Sequence, residues 1–413
     1  MNRHTTGRMG RRSFLKAAGC AAGTLALGHR ALARRLLLVA TGETSRISQV
    51  EWVVYETGLQ DLGGEPQRRS AVRVTTTSGV QGWSDFESWT APDSQTARLI
   101  KDILLGQDPA SHDNIWRQLY QEGISFGTLG AVDVALWDLR GRIENQPVHA
   151  LLGAKRQKAK SYVSTGFNLG EPSAYVEFAS ACKAKQVHGV KIQPYVEGGV
   201  AVNSLPDTAF PEKDMEAYAA VREAVGPAFA CMAGGPAAYT FDQALRVGRL
   251  LDNLAYAWYQ SPMPENDEWI DRYAALAGEL RTPVCAPEAK AGSYESRLAW
   301  IEKRACDISC IDVHHGGFTA CVQLASACES KGVPLELHNI GPDAYPHLQL
   351  IGATDETLIK HVEMLSLVQE TSTLPGRVTP ETTFDEQGYV AIPQTPGMGI
   401  ELDWKYIFTH RVS

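Results

Sequence analysis

From Lys160 onward the chain repeats one rhythm: a short apolar run, a stretch with helical spacing, then another short apolar run. The runs are Val190–Ile192, Ala228–Cys231, Ala255–Tyr259, Pro283–Ala286, Ile308–Val313 and Pro334–Leu337. Each opens a unit of roughly 25 to 35 residues, the spacing at which strands alternate with helices in parallel βα units. This many parallel units close into a barrel whose alternate side chains fill the interior. An open doubly wound sheet is the competing arrangement. It is disfavoured because no glycine-rich phosphate turn follows the first strand. The expected class is therefore α/β, with a barrel over residues 156–366.

Upstream the pattern differs. Residues 47–82 alternate strand-like runs with turns, and Ala71–Thr77 is rich in β-formers before Ser78-Gly79 closes it. From Ser94 to Leu152 apolar residues recur at three-and-four spacing, the mark of helices. Residues 46–155 thus read as an α+β module. The segment 367–413 is extended and rich in Gly and Pro between Gly388 and Asp403, as if it returns over another domain.

The first residues read as a targeting segment. Arg11-Arg12-Ser13-Phe14-Leu15-Lys16 is a twin-arginine motif, Ala17–Leu27 is a mild apolar run, and Ala31-Leu32-Ala33 offers a cleavage triplet. The run is short and weakly apolar for a bilayer span. A signal over residues 1–33 and export of the folded protein to the periplasm are expected, with no membrane attachment after cleavage. Eight cysteines include Cys20 in that segment. The remaining seven cannot all pair within one chain, and no CxxC spacing suggests zinc. The formal net charge of -8 leaves no basic footprint for nucleic acid. An anionic small substrate needs a local positive group.

Three stretches carry a resemblance. The first is Ala131-Val132-Asp133-Val134-Ala135-Leu136-Trp137-Asp138-Leu139-Arg140-Gly141-Arg142, with Gln146-Pro147-Val148 and Leu151-Leu152-Gly153 after it. The second runs from Asp307-Ile308 through Asp312-Val313 to Gly316-Gly317-Phe318-Thr319, and the third is Pro396-Gly397-Met398-Gly399-Ile400-Glu401-Leu402-Asp403. In combination and order they resemble the mandelate racemase and muconate lactonizing branch of the enolase superfamily, across nearly all of the chain after the targeting segment. The resemblance implies an α+β capping domain over a modified TIM barrel, (β/α)7β, with the site at the carboxyl ends of the strands. It also implies removal of a proton α to a carboxylate, with a divalent metal stabilising the enolate and a Lys or His as base.

Strand by strand, the implied site is incomplete. Where the family has Lys-x-Lys this chain has Lys191-Ile192-Gln193, both outer positions facing inward. Lys191 matches the carboxylate-binding lysine, and Gln193, which cannot take up a proton, replaces the lysine base and becomes a substrate-binding candidate. The three metal positions fall on Gly234, Gln260 and Glu288, and Ser261 follows Gln260. One carboxylate and one amide make a poor Mg2+ site. Glu265, Asp267 or His314 could supply a displaced ligand, although a solvated loop residue is the plainer reading of each. The family's His-Asp dyad is matched by Asp312 and His338, one βα unit apart, so the carboxylate would fix the ring and raise its basicity. Glu336 shares the face of His338 and reads as a buried group paired with Lys191 or a neighbour. Glu363 is placed to reach substrate.

With His338 as the competent acid or base, the resemblance implies a lyase or isomerase on a carboxylate-bearing, acid-sugar-like molecule, and one-base dehydration fits better than two-base racemisation. A metal-depleted pseudoenzyme that binds a carbohydrate or carboxylate is the alternative. A metal-free reaction of the same dyad on a glycoside or lactone is a third. Family members are commonly homo-oligomers, dimers or octamers, and nothing in this chain fixes the number. Specificity would lie in the capping loops near Leu59–Gly64 and Trp83–Trp89. Trp83, Phe86 and Trp89 there could stack on a sugar or pack the domain interface.

Overall fold

The computed structural model describes residues 45–412, apart from 61–63, 166–167, 195–210, 289, 291, 339–343 and 368–372. The twin-arginine motif, its apolar run and the Ala31–Ala33 triplet lie outside the described residues. Strands β1 (Ile47–Gln60), β2 (Pro66–Thr76) and β3 (Gln81–Glu87) form an antiparallel sheet in that order. Alternation along β1 buries Ile47, Val50, Val53 and Tyr55.

The helix Phe126–Ile143 gives the first of the three resembling stretches a physical reason. It buries 15 of its 18 residues, because it has no solvent face. One side meets the capping sheet, where Ser84 Oγ donates to Ala131 O at 2.6 Å. The other meets the barrel, where Trp137 Nε1 donates to Thr319 Oγ1 at 2.9 Å. Asp133 accepts from Thr319 N and Thr319 Oγ1, both at 2.7 Å, and burial raises its pKa to about 7. Gly130 is needed for close approach: a Cβ there would lie 2.3 Å from Val313 O.

The barrel strands are β4 (Lys158–Ser164), β5 (Gly189–Ile192), β6 (Ala230–Gly234), β7 (Tyr259–Gln260), β8 (Val284–Cys285), β9 (Ser309–Ile311), β10 (Leu335–Leu337) and β11 (His361–Met364). Parallel pairing runs β11-β4-β5-β6-β7-β8, with β9 paired to β10. A parallel bridge between Cys285 and Ile308 joins β8 to the β9 side. The bond from Leu335 N to Leu358 O, 2.8 Å, closes the ring towards β11. Among the described residues seven helices alternate with these eight strands, the (β/α)7β order. No described helix is long and apolar enough to cross a membrane.

A twelfth strand, β12 (Tyr389–Ala391), lies antiparallel on residues 158–160 of β4, while β5 takes residues 163–164 of the same strand. The chain then reaches the capping side. Met398 N donates to Asp138 Oδ1 at 2.8 Å, and Val412 N donates to Val54 O at 2.9 Å. Asp138 also accepts from Trp83 N and Arg142 Nε, so one buried carboxylate ties β3, the central helix and the returning segment together. The seven described cysteines are buried and unpaired.

Candidate active site

The carboxyl ends of the barrel strands bring Lys191, Gln260 and Glu363 into one cluster. The Lys191 ammonium donates to Gln260 Oε1 at 2.7 Å and pairs with Glu363 Oε1 at 2.7 Å. The Lys191 and Glu363 side chains are 0% and 1% exposed. Burial alone would push the Lys191 amine down, but the carboxylates of Glu363 and then Glu288 outweigh it and hold it above its ordinary value. Glu363 is thus the counterion of Lys191 and sits under the mouth of the barrel. Glu336 lies deeper on β10. Burial, then Glu363, raise its pKa to about 8, and its Oε1 has no hydrogen-bond partner among the described residues.

A second cluster lies beside the first and opens outward. His338 Nδ1 is 3.1 Å from Asp312 Oδ2, and His338 Nε2 is 2.8 Å from Glu288 Oε1. The His338 and Glu288 side chains are 21% and 18% exposed, so this face is reachable where Lys191 is not. Burial would lower the His338 pKa, but Glu288 and Asp312 raise it well above the ordinary histidine range. Burial would raise Glu288, but His338 and then Lys191 bring it down to about 2. Asp312 is held well below the usual carboxylate range, against burial, by hydrogen bonds from His314 and His338. As an imidazolium, His338 donates from both ring nitrogens. It is a ready proton donor there, and a base once that proton has left.

The metal positions are arranged differently from a three-carboxylate site. Gly234 ends β6, and a Cβ on it would lie 2.5 Å from Gln193 Cγ, so Gln193 covers the place an acidic side chain would occupy. Gln260 gives its oxygen to Lys191. The Glu288 carboxylate takes His338 on one oxygen and Ser261 Oγ, at 3.3 Å, on the other. Glu265 Oε2 accepts from the Glu288 backbone N–H at 2.8 Å, and exposed Asp267 pairs with Lys290 at 2.7 Å. Among the described residues no group of three or more His, Cys, Asp or Glu is arranged to hold a metal ion.

The expectation of a solvated loop residue fails for Glu265, which is buried, and most fully for His314. His314 is buried, its Nε2 is 3.1 Å from Glu87 Oε2 at the end of β3, and its backbone N–H donates to Asp312 Oδ1 at 2.6 Å. Asp312 and Glu87 push its pKa up to about 10, against burial. The ring packs against Phe86 at 4.9 Å and Trp89 at 5.2 Å. Sequence reading missed Glu87 altogether. The only available signal was an acid at the end of a capping strand, which does not announce a partner 227 residues away. Of the three capping aromatics, Trp83 and Phe86 pack the interface, while Trp89 stays 59% exposed beside His314.

Known proteins match this arrangement along the chain. The profile for an enolase C-terminal domain-like fold matches residues 174–406, and that for the mandelate racemase/muconate lactonizing enzyme N-terminal domain matches residues 64–153. The chain is 24% identical over 355 residues to an arabinonate dehydratase of Saccharolobus solfataricus, covering 83% of this chain and 90% of that protein. It is 27% identical over 350 residues to a D-galactarolactone cycloisomerase of Agrobacterium fabrum, covering 80% and 88%. Among solved structures it is similar to a D-glucarate dehydratase from Agrobacterium tumefaciens complexed with magnesium, with 28% identity, a TM-score of 0.80, and 90% and 100% of the two chains covered.

Proposed function

Because the chain belongs to the enolase superfamily, in its mandelate racemase and muconate lactonizing branch, we propose that it is a lyase that dehydrates a sugar acid. The observation that carries this reading is the Asp312–His338–Glu288 line at the reachable carboxyl ends of the strands. Asp312 orients the ring and His338 moves the proton. As the free base His338 takes the proton α to the carboxylate, and the electron pair passes onto the carboxylate group. The C–O bond at the next carbon then breaks, and the proton on His338 leaves with the hydroxyl as water. Gln193 offers no base on the opposite face, which favours elimination over racemisation. Dehydratases and cycloisomerases among the similar proteins support this class of reaction.

We propose that this chain does not hold magnesium as the similar D-glucarate dehydratase structure does. Magnesium demands near-octahedral oxygen coordination. Here one position is glycine under Gln193, one oxygen is given to an ammonium, and the carboxylate is given to an imidazolium. Lys191 is then the fixed positive charge behind the developing enolate, and His338 becomes positive as it takes the proton. A second reading, a carbohydrate- or carboxylate-binding protein without turnover, is favoured by one observation. Lys191, His338 and His314 each already face a carboxylate: Glu363, Glu288 and Glu87. We also propose export through the twin-arginine route on the strength of residues 11–33, testable by fractionating cells that carry an Arg11→Lys/Arg12→Lys variant.

The deciding experiment assays mature protein against a panel of sugar acids, with chelator and with added magnesium, following formation of the 2-keto-3-deoxy product. Turnover that is indifferent to chelator and lost in His338→Asn is expected. Turnover surviving in His338→Asn would remove the acid–base assignment. Binding without turnover would move the protein to the second reading.

A further inference from the structure

The capping sheet reaches into the acid–base cluster at Glu87. This residue ends β3, and its Oε2 is 3.1 Å from His314 Nε2. His314 in turn sits against Asp312. Its backbone N–H donates to Asp312 Oδ1 at 2.6 Å, and its ring Nδ1 lies 3.5 Å from the same oxygen. Asp312 Oδ2 is left to His338 Nδ1, at 3.1 Å. A line of polar contacts thus runs from the capping sheet to the ring that moves the proton.

Glu87 is placed without help from His314. Arg69 stands opposite it on β2, and Thr90 Oγ1 donates to Glu87 O at 2.8 Å. Thr128 Oγ1 donates to Thr90 O at 2.8 Å, and the Trp89 ring lies so close over Gly127 that a Cβ there would meet it at 2.3 Å. Residues 87–90 are therefore pinned to the central helix. The turn after β9 is pinned to the same helix, where Gly130 admits Val313 O. Both ends of the Glu87–His314 contact stand on one support.

A catalytic ring keeps its geometry only when the groups behind it are themselves locked by packing and hydrogen bonds. Phe86 and Trp89 confine the His314 ring, with centroids 4.9 and 5.2 Å away, but apolar contact does not fix where its nitrogens point. Of the two carboxylates beside those nitrogens Glu87 is the nearer, at 3.1 Å against 3.5 Å for Asp312. Glu87 therefore sets the ring, and with it the turn whose N–H holds Asp312 Oδ1. A carboxylate is planar, so with Oδ1 held the direction of Oδ2 is held as well. A rival for Oδ2 stands close by, His315 Nε2 at 3.9 Å. We propose that Glu87 is a positioning residue for His338, acting from the capping sheet through His314 to keep the Asp312 carboxylate on the His338 ring. Its value for turnover rests on the dehydratase reading above, whereas its effect on the ring does not.

The ring nitrogens of His338 test this at one fixed pH and without substrate. Full-length mature protein carrying 15N in its histidine rings is followed by long-range 1H–15N correlation, His338 being assigned from His338→Asn. Glu87→Ala should shift or split the His338 Nδ1 signal. His314→Phe, which fills the same space without ring nitrogens, should do so too, and melting curves check that each variant folds. Glu87→Gln should leave the signal where wild type has it, because the glutamine Oε1 still accepts from His314 Nε2–H. Ser84→Ala removes a different bond between the capping sheet and the central helix; it should lower the melting temperature and leave His338 unmoved. An unmoved His338 in folded Glu87→Ala or His314→Phe, an equal shift in Glu87→Gln, or the same shift in Ser84→Ala would each overturn the proposal. Where wild type dehydrates a sugar acid, kcat of Glu87→Ala should fall on the order of ten- to a hundred-fold with KM little changed, and Glu87→Gln should recover most of it. A wild type without turnover sinks the dehydratase reading and leaves the His338 signal to judge Glu87.

Discussion

Replacing Lys191 with methionine isolates a fully buried ion pair in the barrel. Methionine fits the same channel but has no charge and no donor, so it leaves the Glu363 carboxylate and Gln260 Oε1 without the ammonium that now lies 2.7 Å from each. Both ionic side chains are essentially unexposed, so solvent screening offers little relief. Removing one member of a buried ion pair costs about 3–5 kcal/mol, because the survivor stays buried without its partner. The unfolding entropy of the unit Ser45–Ser413 is about 0.8 kcal/mol/K at typical per-residue values, so the apparent Tm should fall by about 4–6 °C. The double variant Lys191→Met/Glu363→Gln removes the stranded charge and should recover about half or more of that loss, which a double-mutant cycle reads directly. If sugar-acid turnover is found, kcat should fall about a hundred-fold or more, the scale of losing one preorganised electrostatic group. A folded Lys191→Met within about 1 kcal/mol of wild type, or a double variant less stable than the single one, would refute the view that this pair is the structural charge of the barrel interior.

Three further outcomes are expected. Glu336 has a folded pKa of about 8, above its unfolded value, so its stabilising protonated form is complete below the unfolded pKa and is lost as pH rises towards 8. Glu336→Gln should therefore gain on wild type through that window, by up to about 1.4 kcal/mol per pH unit, and parallel denaturant-derived stability curves would contradict this. Gly234→Asp alone should give no magnesium-dependent thermal shift, because its side chain collides with Gln193. Gly234→Asp/Gln193→Ala/Gln260→Glu should give one, and a magnesium shift in wild type would defeat the proposed loss of the metal site. Gly130→Ala forces a methyl group against Val313 O and should destabilise by about 1–3 kcal/mol or more; calorimetry showing no change would mean that the helix–barrel contact is looser than described.

The barrel was legible because its strands recur with their helices, although β7 and β8 are only two residues long. The Asp312–His338 pairing was legible because one βα unit places two residues on adjacent strands. Which acid serves Lys191 was not. Glu336 and Glu363 both point inward, and alternation within each strand cannot rank their heights across the barrel. Register does: Glu363 lies opposite Tyr162 on β4, and two residues further along that strand Ser164 pairs with Lys191. His314 was misjudged for a related reason. A histidine in a turn looks solvated until a distant strand end delivers a carboxylate and two aromatic rings to it. Local pattern fixes which face a residue takes, whereas its partner is set by contacts that no window of sequence contains.

The way β12 and the segment after it return bears on how the protein is made. Residues 389–391 complete the edge of β4, Met398 caps Asp138, and Arg411 bridges to Tyr55 on β1. Parts synthesised late thus finish parts synthesised early. A nascent chain stopped before residue 389 leaves the outer edge of β4 bare and takes from Asp138 Oδ1 the donor that Met398 N supplies. The capping sheet must then wait, incomplete, through the translation of the entire barrel. Its β1 edge is the stretch where a chaperone, or a second unfinished copy, has the longest time to bind.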